Sequence, residues 1–353
     1  MKLGFNINID LRGLSAVIFL KLYILIIVFL YCATAFANDM IVPAEVCQRI
    51  SQAVLSGSYK DAEEIADRFI REYPQEPAGP LFKASILQYE SIDYEDYSRD
   101  DEFYKLLDDT ERLAREILAS DSGNLWANYY LYAASGFRGA RATLSGRFLY
   151  GIIKGRSGAK GMFRIIEENP AFCDAYLMAG SYRFWKSVKT APFSWLPLIS
   201  DERDKGISEV KKAVSCGILT GPLSDTVLLE MLLTYDPDRA VTLAEKMVTL
   251  YPFCRLFVWQ LGEAYKRKAR FEDAVRVFSG IAESMRKDKA DDGSGELRCW
   301  WKLAVLSKSV GKKEECIYYC KKIILLGERE SVFRRQHERI DKARRMIEEF
   351  ESE

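Results

Sequence analysis

What this chain lacks limits it before any motif is read. It contains one histidine, His337, in 353 residues. That excludes His-rich metal sites, and in the charged run 334–339 the residue has no visible partner for an acid–base triad. No sign of charge is in excess, because Lys+Arg and Asp+Glu both number 51. A general nucleic-acid binder carries a basic surplus, so that class is set aside. Sustained period-2 alternation is missing, which excludes a sheet-based fold. The glycine-rich stretch 155–161 lacks both the G-x4-G-K-[ST] spacing and a preceding buried strand, so it is no phosphate-cradling loop. The eight cysteines are scattered rather than dense, unlike a small disulfide-stapled domain. One or two bridges are compatible with them, and sequence leaves the pairing open.

The N-terminus carries a targeting pattern. Lys2, Arg12 and Lys21 precede an apolar run over 22–33, and Ala35-Phe36-Ala37 stands before Asn38. A basic region, a short apolar core and an A-x-A site in that order describe a secretory signal peptide over residues 1–37. Twelve apolar residues fall short of the roughly 20 that a membrane span needs. Extending the stretch back to Leu14 leaves an uncleaved inner-membrane anchor as the alternative. Cys32 follows bulky Tyr31, which argues against a lipid-attachment site. The expected location is the periplasm or bacterial cell envelope.

Beyond residue 38 the chain reads as helix after helix, with Pro and Gly between apolar segments of period 3.6. A repeat runs through it. Ala240 and Ala244 are four apart, and Pro252 lies twelve after Ala240. Ala62, Ala66, Phe69 and Pro74 share that spacing. A step of 34 residues from Ala240 reaches Ala274, followed at four by Phe278, and Leu261-Gly262-Glu263-Ala264-Tyr265 lies just upstream. This pattern resembles the tetratricopeptide-repeat (TPR) superfamily, most clearly over 47–74, 237–285 and 297–326. Residues 78–121, 124–168 and 171–217 fit as degenerate units. Over 171–285 the chain also resembles exported bacterial TPR proteins, through Asp174-Ala-Tyr176, Gly180-Ser-Tyr182, an apolar Pro-containing loop and Asp204-Lys-Gly206. The resemblance implies an all-α, TPR-like α-α superhelix of about six hairpins over 38–330. Insertions are expected near 136–164 and 187–204, with a C-terminal capping helix over 331–353. Small residues let the helices of a hairpin cross closely, and hairpins must stack to bury their apolar faces.

The same register assigns Cys316 and Cys320 to the packing positions of Ala274 and Phe278, where buried cysteine behaves as a small hydrophobe. It also makes Trp259 and Trp301 equivalent. In TPR proteins such positions tend to face the concave groove, and Glu263, Lys266, Arg298 and Lys308 should project to the same side. Trp and Arg are common anchors for a bound peptide. The competing reading is that both indoles pack against the neighbouring hairpin. Residues 136–164 hold seven basic residues and no acid (Arg138, Arg141, Arg147, Lys154, Arg156, Lys160 and Arg164) with Phe148, Leu149, Ile152 and Ile153 among them. They read as an irregular connection with solvated charges, or as a contact for an acidic partner or anionic lipid. The apolar loop 191–199, with Trp195 and Leu196, either caps the core or meets a partner or membrane.

The favoured function is an exported scaffold or adaptor that binds a protein or peptide, with no cofactor, no metal and no nucleic acid. One alternative is a membrane-peripheral accessory protein using the basic segment and the Trp195 loop. A second is a helical-solenoid enzyme with a dispersed carboxylate site. It is discounted because no carboxylate pair, Cys/His pair or metal cluster stands out.

Overall fold

A computed structural model describes residues 44–193, 195 and 200–352 of the chain. The N-terminal targeting pattern and Leu196 lie outside the described residues. Fifteen α-helices and no strand are described. They form seven hairpins: α1 Ala44–Leu55 with α2 Tyr59–Glu72, α3 Ala78–Tyr94 with α4 Asp100–Ser120, α5 Leu125–Leu144 with α6 Phe148–Glu168, α7 Ala175–Thr190 with α8 Arg203–Cys216, α9 Gly221–Tyr235 with α10 Pro237–Leu250, α11 Arg255–Arg267 with α12 Phe271–Lys287, and α13 Ser294–Ser309 with α14 Lys313–Leu326. A last helix, α15 Glu330–Glu351, follows. The fold is an all-α, TPR-like superhelix.

The repeat register holds at the level of side chains. Ala62 and Ala66 in α2, Ala240 and Ala244 in α10, Ala274 and Phe278 in α12, and Cys316 and Cys320 in α14 are all fully buried. Gly262 in α11 meets α12 so closely that a Cβ there would lie 2.7 Å from the Phe278 ring. Side-chain caps mark two helix starts. Asn124 Oδ1 accepts from the Ala127 N–H at 2.9 Å, and Asp236 Oδ1 accepts from the Arg239 N–H at 3.1 Å, each satisfying an orphan donor.

One expectation is sharpened and one corrected. Seven hairpins are described where about six were expected, because α9 carries no visible period. Leu228, Leu229, Met231, Leu232 and Leu233 are all buried, and a helix surrounded by neighbours has no polar face to reveal its pitch. The glycine-rich stretch 136–164 is no irregular insertion but the crossing of α5 and α6. A Cβ on Gly139 would sit 2.5 Å from the Gly155 nitrogen, and one on Gly158 2.7 Å from the Tyr132 oxygen. Mid-helix glycine costs about 1 kcal/mol relative to alanine, which the close approach of the two backbones offsets. Gly180 of α7 and Gly206 of α8 meet in the same way, since a Cβ on either would lie 2.6 Å from the other's carbonyl oxygen. The stretch near 187–204 is the connection between those two helices.

The superhelix turns back on itself. Besides sequential neighbours, α1 packs on α9, and α3 packs on both α11 and α13. The N-terminal hairpins therefore occupy the inner face of the C-terminal ones. Cys173, just before α7, and Cys216, at the end of α8, form a disulfide with 5.6 Å between their Cα atoms. The neighbouring Asp174 is buried and accepts from the N–H groups of Ile218, Leu219 and Thr220 at 3.1, 2.8 and 2.8 Å. Burial pushes its carboxyl above the usual range, and those N–H groups only partly offset this. Bridge and carboxylate together fix the route from α8 into α9. The other five described cysteines (47, 254, 299, 316 and 320) are free and buried.

Two measurements follow from this geometry. Gly139→Ala should destabilise the protein by about 1–3 kcal/mol in urea unfolding, the cost of overpacking a tight contact. Thiol titration of unfolded, unreduced protein should find five thiols if the chain is cut after Ala37, and six if Cys32 is retained; seven or more would mean that the bridge does not form.

Candidate functional site

The structure brings most of the expected groove residues together, but not on an open face. Trp259, Glu263 and Lys266 lie on α11, and Arg298, Trp301 and Lys308 on α13. Arg298 stacks over the Trp259 indole at 4.0 Å, and Glu263 is bound by Lys266 and Lys302, both at 2.6 Å. Burial alone would raise the Glu263 carboxyl; Lys302 and Lys266 outweigh it and hold the pKa below the usual value. Trp259 is only 5% exposed and packs against Phe278 of its own hairpin, with ring centroids 6.0 Å apart. Its Nε1 is buried and finds no acceptor among the described residues. Trp301 is half-buried against the apolar cluster shared by α13, α14 and α15. Lys308 reaches Glu349 of α15 at 2.6 Å. Trp259 is therefore a packing residue. Trp259, Glu263 and Arg298 gather on a side that is filled by the chain itself, whereas Trp301 and Lys308 meet α15.

What fills it is the C-terminal end of α3. Asp93, 1% exposed, accepts from Arg255 Nε at 2.9 Å and from the Tyr59 hydroxyl at 3.2 Å. Arg255 also reaches Asp288 at 2.7 Å, and the Tyr94 hydroxyl donates to the same Asp288 oxygen at 2.7 Å. Burial works to lower the Arg255 pKa, but the Asp93 and Asp288 charges outweigh it and hold the guanidinium above its ordinary value. Arg298 donates to the carbonyls of Ile92 and Asp93 at 3.0 and 3.3 Å, and Arg335 of α15 to that of Tyr94 at 3.1 Å. Carbonyls at a helix C-terminus lack intrahelical donors and carry the negative end of the dipole, so cations suit them. Glu95 ends α3 in the left-handed region, φ 53°, and its carboxylate pairs with Arg339. The terminal helix is thus a clamp on α3 as well as a cap. Pairing between residues 162 apart leaves no local trace, so sequence periodicity passes over this network.

An open concavity lies elsewhere, between α12, α13 and the start of α14. It encloses about 670 Å³ and is lined by Phe271, Val275, Leu306, Val310 and Tyr319, with Glu272, Arg276, Lys312 and Glu315 among its charged residues. Tyr319 is stacked on Trp300, centroids 5.8 Å apart. The only hint in the sequence is Phe271 and Val275 at i, i+4, beside the core residues Ala274 and Phe278.

The environments of Trp195 and of the basic segment are also clear. Trp195 is 76% exposed, so it does not cap the core. The seven basic residues of 136–164 separate by environment. Arg138 binds Asp108 and Glu111, buried Arg141 binds Asp100 at 3.2 Å, Arg147 donates to the Tyr104 hydroxyl, and Arg164 binds Glu168. Glu63 and Glu90 do converge, but on the Arg99 guanidinium at 2.7 and 3.1 Å, as ion pairs do.

No protein-family model matches the chain, and no curated protein matches it. Solved structures do. The thermophilic TPR protein TTC0263 of Thermus thermophilus is similar at 17% identity over 62% of this chain and 97% of its own, with a TM-score of 0.38. A tetratricopeptide-repeat protein of Parabacteroides merdae is 12% identical over 85% of this chain and 97% of its own, with a TM-score of 0.38. The Cut9–Hcn1 hetero-tetramer of the APC/C is 13% identical over 90% of this chain and 69% of that one, with a TM-score of 0.37.

Removing Asp93 should expose how far closure depends on it. Asp93→Ala leaves Arg255 with one carboxylate in a buried site, and should cost about 3 kcal/mol in urea unfolding. The double replacement Asp93→Leu, Arg255→Met should recover most of that loss, since apolar side chains of similar volume remove the stranded charge.

Proposed function

We propose that this protein is an exported scaffold that binds a protein or peptide segment in the groove between α12, α13 and α14. The groove carries the reading. Its volume is about 670 Å³ and it is open to solvent. Its apolar lining of Phe271, Val275, Leu306, Val310 and Tyr319, with charged residues beside it, matches the core-and-rim anatomy of protein interfaces. The inner face around Trp259 is excluded as the docking surface because α3 occupies it. Mixed charge in the groove suits a segment carrying both signs.

Two features support export. One is the signal pattern ahead of Asn38. The other is the Cys173–Cys216 disulfide, a bond that persists in the periplasm or outside the cell and is rare in a reducing cytosol.

Site-specific photocrosslinking checks the reading in the native envelope. A photoreactive residue at Val275 or Val310 should give a discrete adduct, and the same residue at Leu250, an exposed position on α10, should not. Tyr319→Ala should weaken adduct formation about tenfold, as loss of a buried aromatic anchor does. No adduct at either groove position, or equal adducts at Leu250, would overturn it.

A further inference from the structure

The outward face of α6 is inverted relative to an ordinary surface helix. Its small residues Gly151, Gly158, Ala159 and Gly161 turn inward and are buried. In its first two turns the large apolar residues turn outward: Leu149 is 80% and Ile153 65% exposed, with Phe148 and Ile152 also exposed, while Met162 and Ile165 further along are buried. Leu144, at the end of α5, adds to the same tip. Residues 149, 153, 156, 160 and 164 follow at helical spacing along one stripe. The stripe is apolar for two turns and then cationic, with Leu149 and Ile153 first and Arg156, Lys160 and Arg164 after. Among the described residues neither Arg156 nor Lys160 has an ion-pair partner, and both are exposed. No acid occurs between 136 and 164.

We propose that this tip docks on an anionic lipid bilayer, with the first two turns of α6 inserted and Arg156 and Lys160 at the headgroups. The order of depth fits. Leu149 and Arg156 are seven residues apart, about 10 Å along a helix, and interfacial segments bury their apolar side about 5–10 Å into the headgroup–acyl boundary. Exposed Trp195 adds a second element. Successive helices alternate in direction, so the α5–α6 turn and the α7–α8 connection emerge at the same edge of the superhelix. Tryptophan is enriched at membrane–water interfaces. No described helix is long and apolar enough to cross a membrane, so this contact is peripheral. A protein partner is disfavoured because the patch is a projecting turn rather than a concavity. The surface is separate from the α12–α14 groove, so either reading can fail alone.

The full chain with Cys32→Ser is suited to a local test, because its remaining free cysteines are buried. An environment-sensitive fluorophore is attached at Ile153→Cys or, as a control, at Glu167→Cys near the other end of α6. Vesicles of phosphatidylcholine with phosphatidylglycerol should shift the emission of the probe at 153 to the blue and leave the probe at 167 unchanged. Pure phosphatidylcholine should give a much smaller shift. Arg156→Gln and Lys160→Gln should each raise the lipid concentration at half-maximal shift about fivefold, with unchanged circular dichroism because both side chains are exposed. No shift at 153 with either vesicle, or an equal shift at 167, would overturn the proposal. So would a blue shift that grows with protein concentration in the absence of lipid, which would assign the patch to a second copy of the chain.

Discussion

The structure depends on one partly buried guanidinium. Arg255 stands between Asp93 of α3 and Asp288, just past α12, and this contact joins the N-terminal and C-terminal parts of the superhelix. A stack of helical hairpins would by itself leave its inner face open. Here α3 enters that face, and Arg298, Arg335 and Arg339 bind the chain where the helix ends. Cations placed at the C-terminal carbonyls of α3 satisfy acceptors that a helix leaves bare, so an end that would otherwise need water can be enclosed. Closing the solenoid also explains the fate of Trp259, which becomes part of the seal.

A second constraint acts through small residues. Where α5 meets α6, and α7 meets α8, glycine lets the backbones touch. In the first half of α6 the inward face is then taken up by glycine, and Phe148, Leu149, Ile152 and Ile153 have no inward place, whereas Met162 and Ile165 further along are buried. The four outward residues project at the edge of the superhelix. The molecule therefore uses its inner surface to hold itself together, and among the described residues the groove beside Tyr319 and the apolar tip of α6 stay open to solvent.

Much of the fold could be read from local spacing. The twelve-residue step and the 34-residue period depend on contacts within one hairpin, where the small residues Ala62, Ala240, Ala274 and Cys316 recur. Such contacts join residues close in sequence, so composition records them. The helix α9 was missed because burial on every side erases its period. The stretch 136–164 was misread because glycine inside helices normally signals a turn. Of the site, the side on which Trp259, Glu263 and Arg298 gather was legible, since helical pitch decides it. That this side is occupied was not, because Asp93 and Arg255 meet only through the curvature accumulated over several hairpins.

The sequence by itself determined the helical repeat, its register and the packing role of Cys316 and Cys320, all consequences of short-range steric fit. Only the tertiary structure decided that the superhelix closes on α3, that Cys173 and Cys216 form the disulfide, and that apolar side chains of α6 face outward. Those outcomes depend on the small rotation between successive hairpins. It sums along the stack and brings distant charges within bonding distance, and no single repeat encodes it.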